Sequence, residues 1–90
     1  MSKKHEDDPA VLERLGAKIK ARREKQGLSQ GDLAVSADVD RSYVSQVENG
    51  RKSVTISMLA RISKALSTTP SALTQGILSD GAEEAEHQGA

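Results

Sequence analysis

The sequence has no cysteine, tryptophan or phenylalanine, and Tyr43 is its only aromatic residue. Without thiols there is no disulfide framework and no thiolate metal site. With a single aromatic ring, the core has to be built from Leu, Ile, Val, Ala and two Met. No apolar run approaches the roughly 18 residues that a membrane-spanning helix needs. Nor does an apolar stretch follow the basic pair Lys3 and Lys4, so the reading is a soluble, cytoplasmic protein with no secretory leader and no membrane partner. At 90 residues the chain makes one domain at most. So small a core gains from a partner chain.

The formal net charge is zero, and that sum hides a segregation. Residues 10–79 carry eleven Lys and Arg against six acids, a net +5. Residues 1–9 come to −1, and residues 80–90 hold four acids and no base, −4. A basic body between acidic ends suits a polyanionic ligand, although ordinary solvated charge reaches the same total. The expected organisation is a disordered arm over 1–9, a folded domain over 10–79 and a disordered acidic tail over 80–90. That tail is rich in Ala, Glu and Gly and has no apolar face to bury.

Periodicity predicts helices and nothing else. Asp8 and Pro9 read as an N-cap and a proline at the first helical position. Leu12, Leu15 and Ile19 then recur at helical spacing until Gly27, which follows Arg23 and Lys25, stops the helix. Three later starts share one grammar, a capping residue between two staple residues. Ser29 has Asp32 three residues on and Leu28 with Leu33 as its staple; Asp40 has Val39 and Val44; Thr55 has Val54 and Leu59. These place helices at 30–37, 41–49 and 56–66, with Gly50 ending the middle one. Thr69 and Pro70 open a short fifth helix that carries Ala72 and Leu73 and fades from Gly76 to Leu78.

A connection of only residues 38–40 forces the second and third helices to cross steeply, as in a helix-turn-helix. Leu33, Ala34 and Ala37 then face inward, with Ala34 kept small where two backbones approach. On the third helix Val44 and Val47 turn inward. At about 100° per residue this leaves Arg41, Ser42, Ser45, Gln46 and Asn49 outward. That set is rich in donors and has no acid, whereas an ordinary solvated helix mixes Glu with Lys. It points to DNA.

The stretches GLSQGDLA, SYVSQVENGRK and LARISKAL, within residues 15–66, resemble the Cro and phage-repressor (XRE) helix-turn-helix family. DRSYVSQVENGRKSVT is similar in particular to the controller proteins of restriction–modification systems. The resemblance implies an all-α, five-helix, lambda-repressor-like domain with helices two and three forming the helix-turn-helix. It also implies a major-groove recognition helix at 41–49 and a homodimer on duplex DNA with a palindromic operator. By that likeness Arg41, Ser42, Ser45 and Gln46 read bases. Gln30 sits against the DNA backbone within reach of Gln46, and Asn49, Arg51 and Lys52 contact phosphates. Arg23 and Glu48 pair as a buried or half-buried bridge between helices one and three. The residues agree: Glu48 is the only acid on helix three, and a free carboxylate there repels phosphate. Asp38 stands where the family usually has glycine, Arg22 where it has leucine, and Val54 where it has proline.

Other residues carry less. His5 and His87 lie in the tails without folded partners, no carboxylate pair within residues 10–79 suggests acid–base work, and there is no phosphate-cradling glycine loop or Ser/His/Asp set. No catalytic residue, metal ligand or cofactor is expected, nor a small-molecule effector, since no room for a sensing domain remains. Tyr43 reads either as half-buried packing or as a hydroxyl reaching a phosphate. Leu73, Ile77 and Leu78 exceed what a terminal helix can bury and are the expected dimer interface, unless Leu73 completes the protomer core. The reading is a sequence-specific transcriptional regulator. The alternative is a protein-interaction module such as a toxin-binding antitoxin, against which the acid-free helix face and the short acidic tail both argue.

Overall fold

Asp8 accepts the Ala10 N–H on its carboxylate at 3.0 Å, and Pro9 follows with no N–H to leave unpaired. From that start the chain forms α1 (Pro9–Lys25), α2 (Gln30–Ala37), α3 (Arg41–Glu48), α4 (Ile56–Ala65) and α5 (Pro70–Thr74). The computed structural model describes residues 8–78, which contain no strand. The expected arm therefore gives its last two residues, Asp8 and Pro9, to the cap and first turn of α1. The rest of that arm, and the acidic tail, lie outside the described residues.

All three starts open helices where the local grammar predicts them, and two of the three make the side-chain cap. Ser29 and Asp32 make a reciprocal capping box, each bond 2.9 Å long. The backbone and hydroxyl of Ser29 hold the Asp32 carboxyl below the usual carboxylate range. Thr55 accepts the Met58 N–H at 3.1 Å. Asp40 is the exception. Its side chain makes no cap bond, because the Tyr43 N–H is taken by the Asp40 carbonyl at 3.0 Å. Position N3 is then Tyr43, which has no side-chain acceptor to reach back to the cap. α3 and α4 each end one residue earlier than expected, with Asn49 and Leu66 as C-caps.

Asp38 closes α2 in the left-handed region at φ 60°, ψ 51°, the conformation its glycine-like position requires. Asp tolerates this region better than most residues. Arg61 of α4 fastens the turn, donating from Nε to the Ala37 carbonyl at 3.1 Å and from Nη2 to the Asp38 carbonyl at 2.6 Å.

The hydrophobic core is aliphatic throughout, with Ile19, Leu33, Val44, Val47, Ile62 and Leu66 at its centre. α1 packs on α3 and α5, α2 on α3 and α4, and α4 on α5. At Gly16 two helix backbones approach closely. A Cβ on Gly16 would run into the Val47 carbonyl oxygen and stand 2.7 Å from that of Glu48. Both obstacles are backbone, so neither can rotate aside. Gly16→Ala should cost about 1–3 kcal/mol, as overpacking a filled site does, and lower the thermal midpoint in circular dichroism. Gly31→Ala is the control: its nearest neighbour is Ser29 Oγ at 3.6 Å, and it should leave the midpoint unchanged or raise it. Equal midpoints for the two variants would refute the close approach.

Candidate nucleic-acid interface

The inward faces of α2 and α3 determine what α3 shows outside. Val44 and Val47 are buried at 1% and 2% exposure, which turns Arg41, Ser42, Gln46 and Asn49 into solvent and leaves Ser45 partly covered. The Arg41 side chain runs beside the first turn of α2, its Cδ 3.9 Å from where a Cβ on Gly31 would sit. At the far end, Gly50 takes φ 71° and lets the chain double back. The Gly50 N–H donates to the Val47 carbonyl at 3.0 Å and the Arg51 N–H to the Gln46 carbonyl at 2.9 Å, a Schellman closure. Asn49 Nδ2 donates to the Ser45 carbonyl at 2.9 Å. Arg51 and Lys52 thus emerge exposed just past the helix end. Arg41, Arg51 and Lys52 have no carboxylate within ion-pair distance among the described residues. The exposed Asp40 is an acid at the rim of this face.

Beneath the face lies the ion pair expected from the sequence. Arg23 Nε donates to Glu48 Oε2 at 2.6 Å and Nη2 to Oε1 at 2.9 Å, a bidentate fork. Arg23 Nη1 donates to the Leu28 carbonyl at 2.8 Å. The side chains are 9% and 2% exposed, and the bond to Glu48 raises the Arg23 pKa. Gln30 joins this pair: its Nε2 donates to Glu48 Oε1 at 3.1 Å. The hydrogen-bond partner of Gln30 is thus Glu48, a contact the sequence did not suggest. The amide faces inward at a carboxylate still able to accept a third donor.

Tyr43 packs half-buried against the core, and burial raises its phenol pKa. Its hydroxyl donates only a long, exposed bond to the Ser53 carbonyl at 3.5 Å, so packing and an outward hydroxyl coexist in one side chain. The expected apolar interface divides. Leu73 is 3% exposed and belongs to the protomer core, because α5 lies against both α1 and α4. Ile77 is half-buried against that core, and Leu78 is 82% exposed. Sequence reasoning missed Arg61, whose grip on the turn has no local signature. It also missed Gly16, for which a glycine inside a helical pattern was the available signal.

The helix-turn-helix family model matches residues 19–73. The chain belongs to the helix-turn-helix family. It is 43% identical over 65 residues to the control protein C.MunI of a Mycoplasma species, covering 71% of this chain and 88% of that one. The crystal structure of the restriction–modification controller C.AhdI from Aeromonas hydrophila superposes with a TM-score of 0.68 at 35% identity, over 69% of this chain and 94% of that one. The restriction–modification controller C.Esp1396I, crystallised as a tetramer with its natural 35 base-pair operator, gives 0.68 at 29% identity over 76% and 90%.

The helix-turn-helix of this chain hangs on the pair beneath it. Truncating one partner of a buried pair typically costs about 3–5 kcal/mol, because the other charge is left without compensation. Glu48→Ala should lower the unfolding free energy in urea by that order, while exposed Ser42→Ala should leave it nearly unchanged. Equal stability of the two variants would show that the pair contributes nothing.

Proposed function

We propose that the protein is a sequence-specific regulator of transcription that binds duplex DNA with α3 in the major groove. The observation that carries this is the outer face of α3. Arg41, Ser42 and Gln46 stand outward, with Ser45 half-buried beside them, while the only carboxylate of that helix is neutralised inside. Similarity to controller proteins, one of them crystallised on its operator, supports the same reading. Regulation by binding alone needs no catalytic group, and a DNA target puts the site of action in the cytoplasm.

In this reading Arg41 and Gln46 supply most of the base discrimination. The Arg fork fits the two acceptors of guanine, and a Gln amide pairs bidentately with adenine. Ser42 and Ser45, being short, tune the preference. Asn49, Arg51, Lys52 and the Tyr43 hydroxyl hold phosphates. Gln30 follows the backbone from the edge of the site, one hydrogen of its amide nitrogen serving Glu48 and the other left to donate to a phosphate. The protein acts as a homodimer whose two recognition helices stand about 34 Å apart, one turn of duplex. The exposed Leu78 and the half-buried Ile77 contribute to the contact. A gel shift with the DNA upstream of its own gene tests the reading directly. Absence of a shift at moderate salt, with a toxin-like protein captured instead, would favour an antitoxin.

Two variants separate positioning from base reading. Each neutralised phosphate contributes about −0.9 to the slope of log K against log salt. Arg51→Ala should therefore weaken all sequences alike and flatten that slope by about one. Arg41→Ala should instead relax preference at one symmetric pair of base positions, a loss of about 1–3 kcal/mol of discrimination there, as read by selection from a random library. A uniform loss across all positions would mean that Arg41 holds a phosphate and that sequence is read through DNA shape.

A further inference from the structure

A second basic surface lies away from α3. Lys18, Arg22 and Lys25 line one side of a groove of about 250 Å³ between α1 and the start of α5, and Ala21, Ala72 and Leu73 form its apolar part. No residue of α3 contributes to it. Arg22 is anchored in place, its Nη2 donating to the Ser67 carbonyl at 3.2 Å. Lys18 and Lys25 have no carboxylate within ion-pair distance among the described residues. One stripe of α1 thus presents three cations along an apolar trough.

The chain itself leads into this stripe. Arg14, one turn before Lys18 on the same side of α1, donates from Nη1 to the Ile77 carbonyl at 2.7 Å and pins the segment after α5 to α1. At about 1.5 Å per residue, Lys18 lies roughly 6 Å and Lys25 roughly 16 Å further along the helix. An extended chain covers about 3.3–3.6 Å per residue, so Asp80 reaches roughly 10 Å from Ile77 and Glu86 roughly 30 Å. Asp80, Glu83, Glu84 and Glu86 fall within that span, with the small Ala82 and Ala85 between them.

We propose that residues 80–86 of this chain dock along the α1–α5 groove, their carboxylates meeting Lys18, Arg22 and Lys25. Single exposed ion pairs are weak. Here the two partners share one chain, and tethering supplies a high effective concentration. The docked segment covers the apolar trough beside Leu73. It also holds four carboxylates away from Arg41, Arg51 and Lys52, where they would compete with phosphate. The assignment does not depend on the DNA reading.

The absence of cysteine makes the test direct. Gln88→Cys in the full chain takes one nitroxide label, and paramagnetic broadening is read on backbone amides. Selective loss of intensity at Lys18, Ala21, Lys25 and Ala72 is expected. The loss should disappear at about 1 M salt, where the Debye length falls to about 3 Å. It should disappear too when Asp80→Asn, Glu83→Gln, Glu84→Gln and Glu86→Gln are combined. Loss centred on residues 41–52 would place the acidic segment over α3 and overturn the proposal, as would the absence of any localised loss. A mixture of isotope-labelled protomers without the nitroxide and spin-labelled protomers without the isotope completes the test. Broadening in that mixture would assign the groove to a second copy's segment and overturn the intramolecular assignment.

Discussion

The fork between Arg23 and Glu48 is the interaction on which the arrangement of the first three helices depends. Taking two opposite charges out of water costs several kcal/mol each, and only near-complete pairing makes that tolerable. The structure provides it. The carboxylate accepts from Arg23 twice and from Gln30 once, and the remaining guanidinium nitrogen closes on the Leu28 carbonyl. One buried group therefore joins the end of α1, the start of α2 and the last turn of α3. Alternative packings of these helices would strand a charge, which makes them expensive even where their apolar contacts are comparable. Gly16 meets the same demand from the backbone side, since α1 approaches the carbonyls of Val47 and Glu48 too closely for any side chain.

This matters most for α3, which has eight residues. Isolated helices shorter than about 12–15 residues are marginal in water, and α3 lacks even the side-chain cap expected of Asp40. Its order comes from packing through Val44 and Val47, from the Schellman turn at Gly50 and from the pair at Glu48. A helix held this way arrives at a ligand already formed, so binding does not have to supply the cost of ordering it. The turn before α3 is likewise fixed from outside, by Arg61 reaching from α4 to the carbonyls of Ala37 and Asp38.

What the sequence made legible follows from the range of the forces involved. The starts at Ser29 and Thr55 and the stop at Gly27 are decided within a few residues, and there the reading and the structure coincide. The inward set of Val44 and Val47 is a matter of period, and it too was readable. The Arg23–Glu48 pair was anticipated through family resemblance and through the isolation of one acid on a donor-rich helix. Periodicity alone would not have found it. Long-range polar contacts escaped: Gln30 to Glu48, Gln26 to the Leu66 carbonyl, Arg14 to the Ile77 carbonyl, Arg61 to the turn. Each joins residues far apart in the chain, and nothing within a few residues of either partner signals it. The assignment of Leu73 to an interface failed for the same reason, since whether a leucine is core or surface depends on what lies across from it.

The cations show how composition alone can mislead. Eleven Lys and Arg lie between residues 10 and 79, yet they do different work. Arg14, Arg22, Arg23 and Arg61 direct their guanidinium groups at backbone carbonyls or a buried carboxylate, where a planar fork with several donors closes helix ends that would otherwise be left open. They contribute to the shape of the domain, and a lysine in any of these places would supply the charge but not the geometry. Arg41, Arg51 and Lys52 have no carboxylate within reach among the described residues, and they border one face of one helix. The basic character of the body is therefore partly structural, and what makes this face suited to a polyanion is that the cations around α3 are left unengaged by the fold.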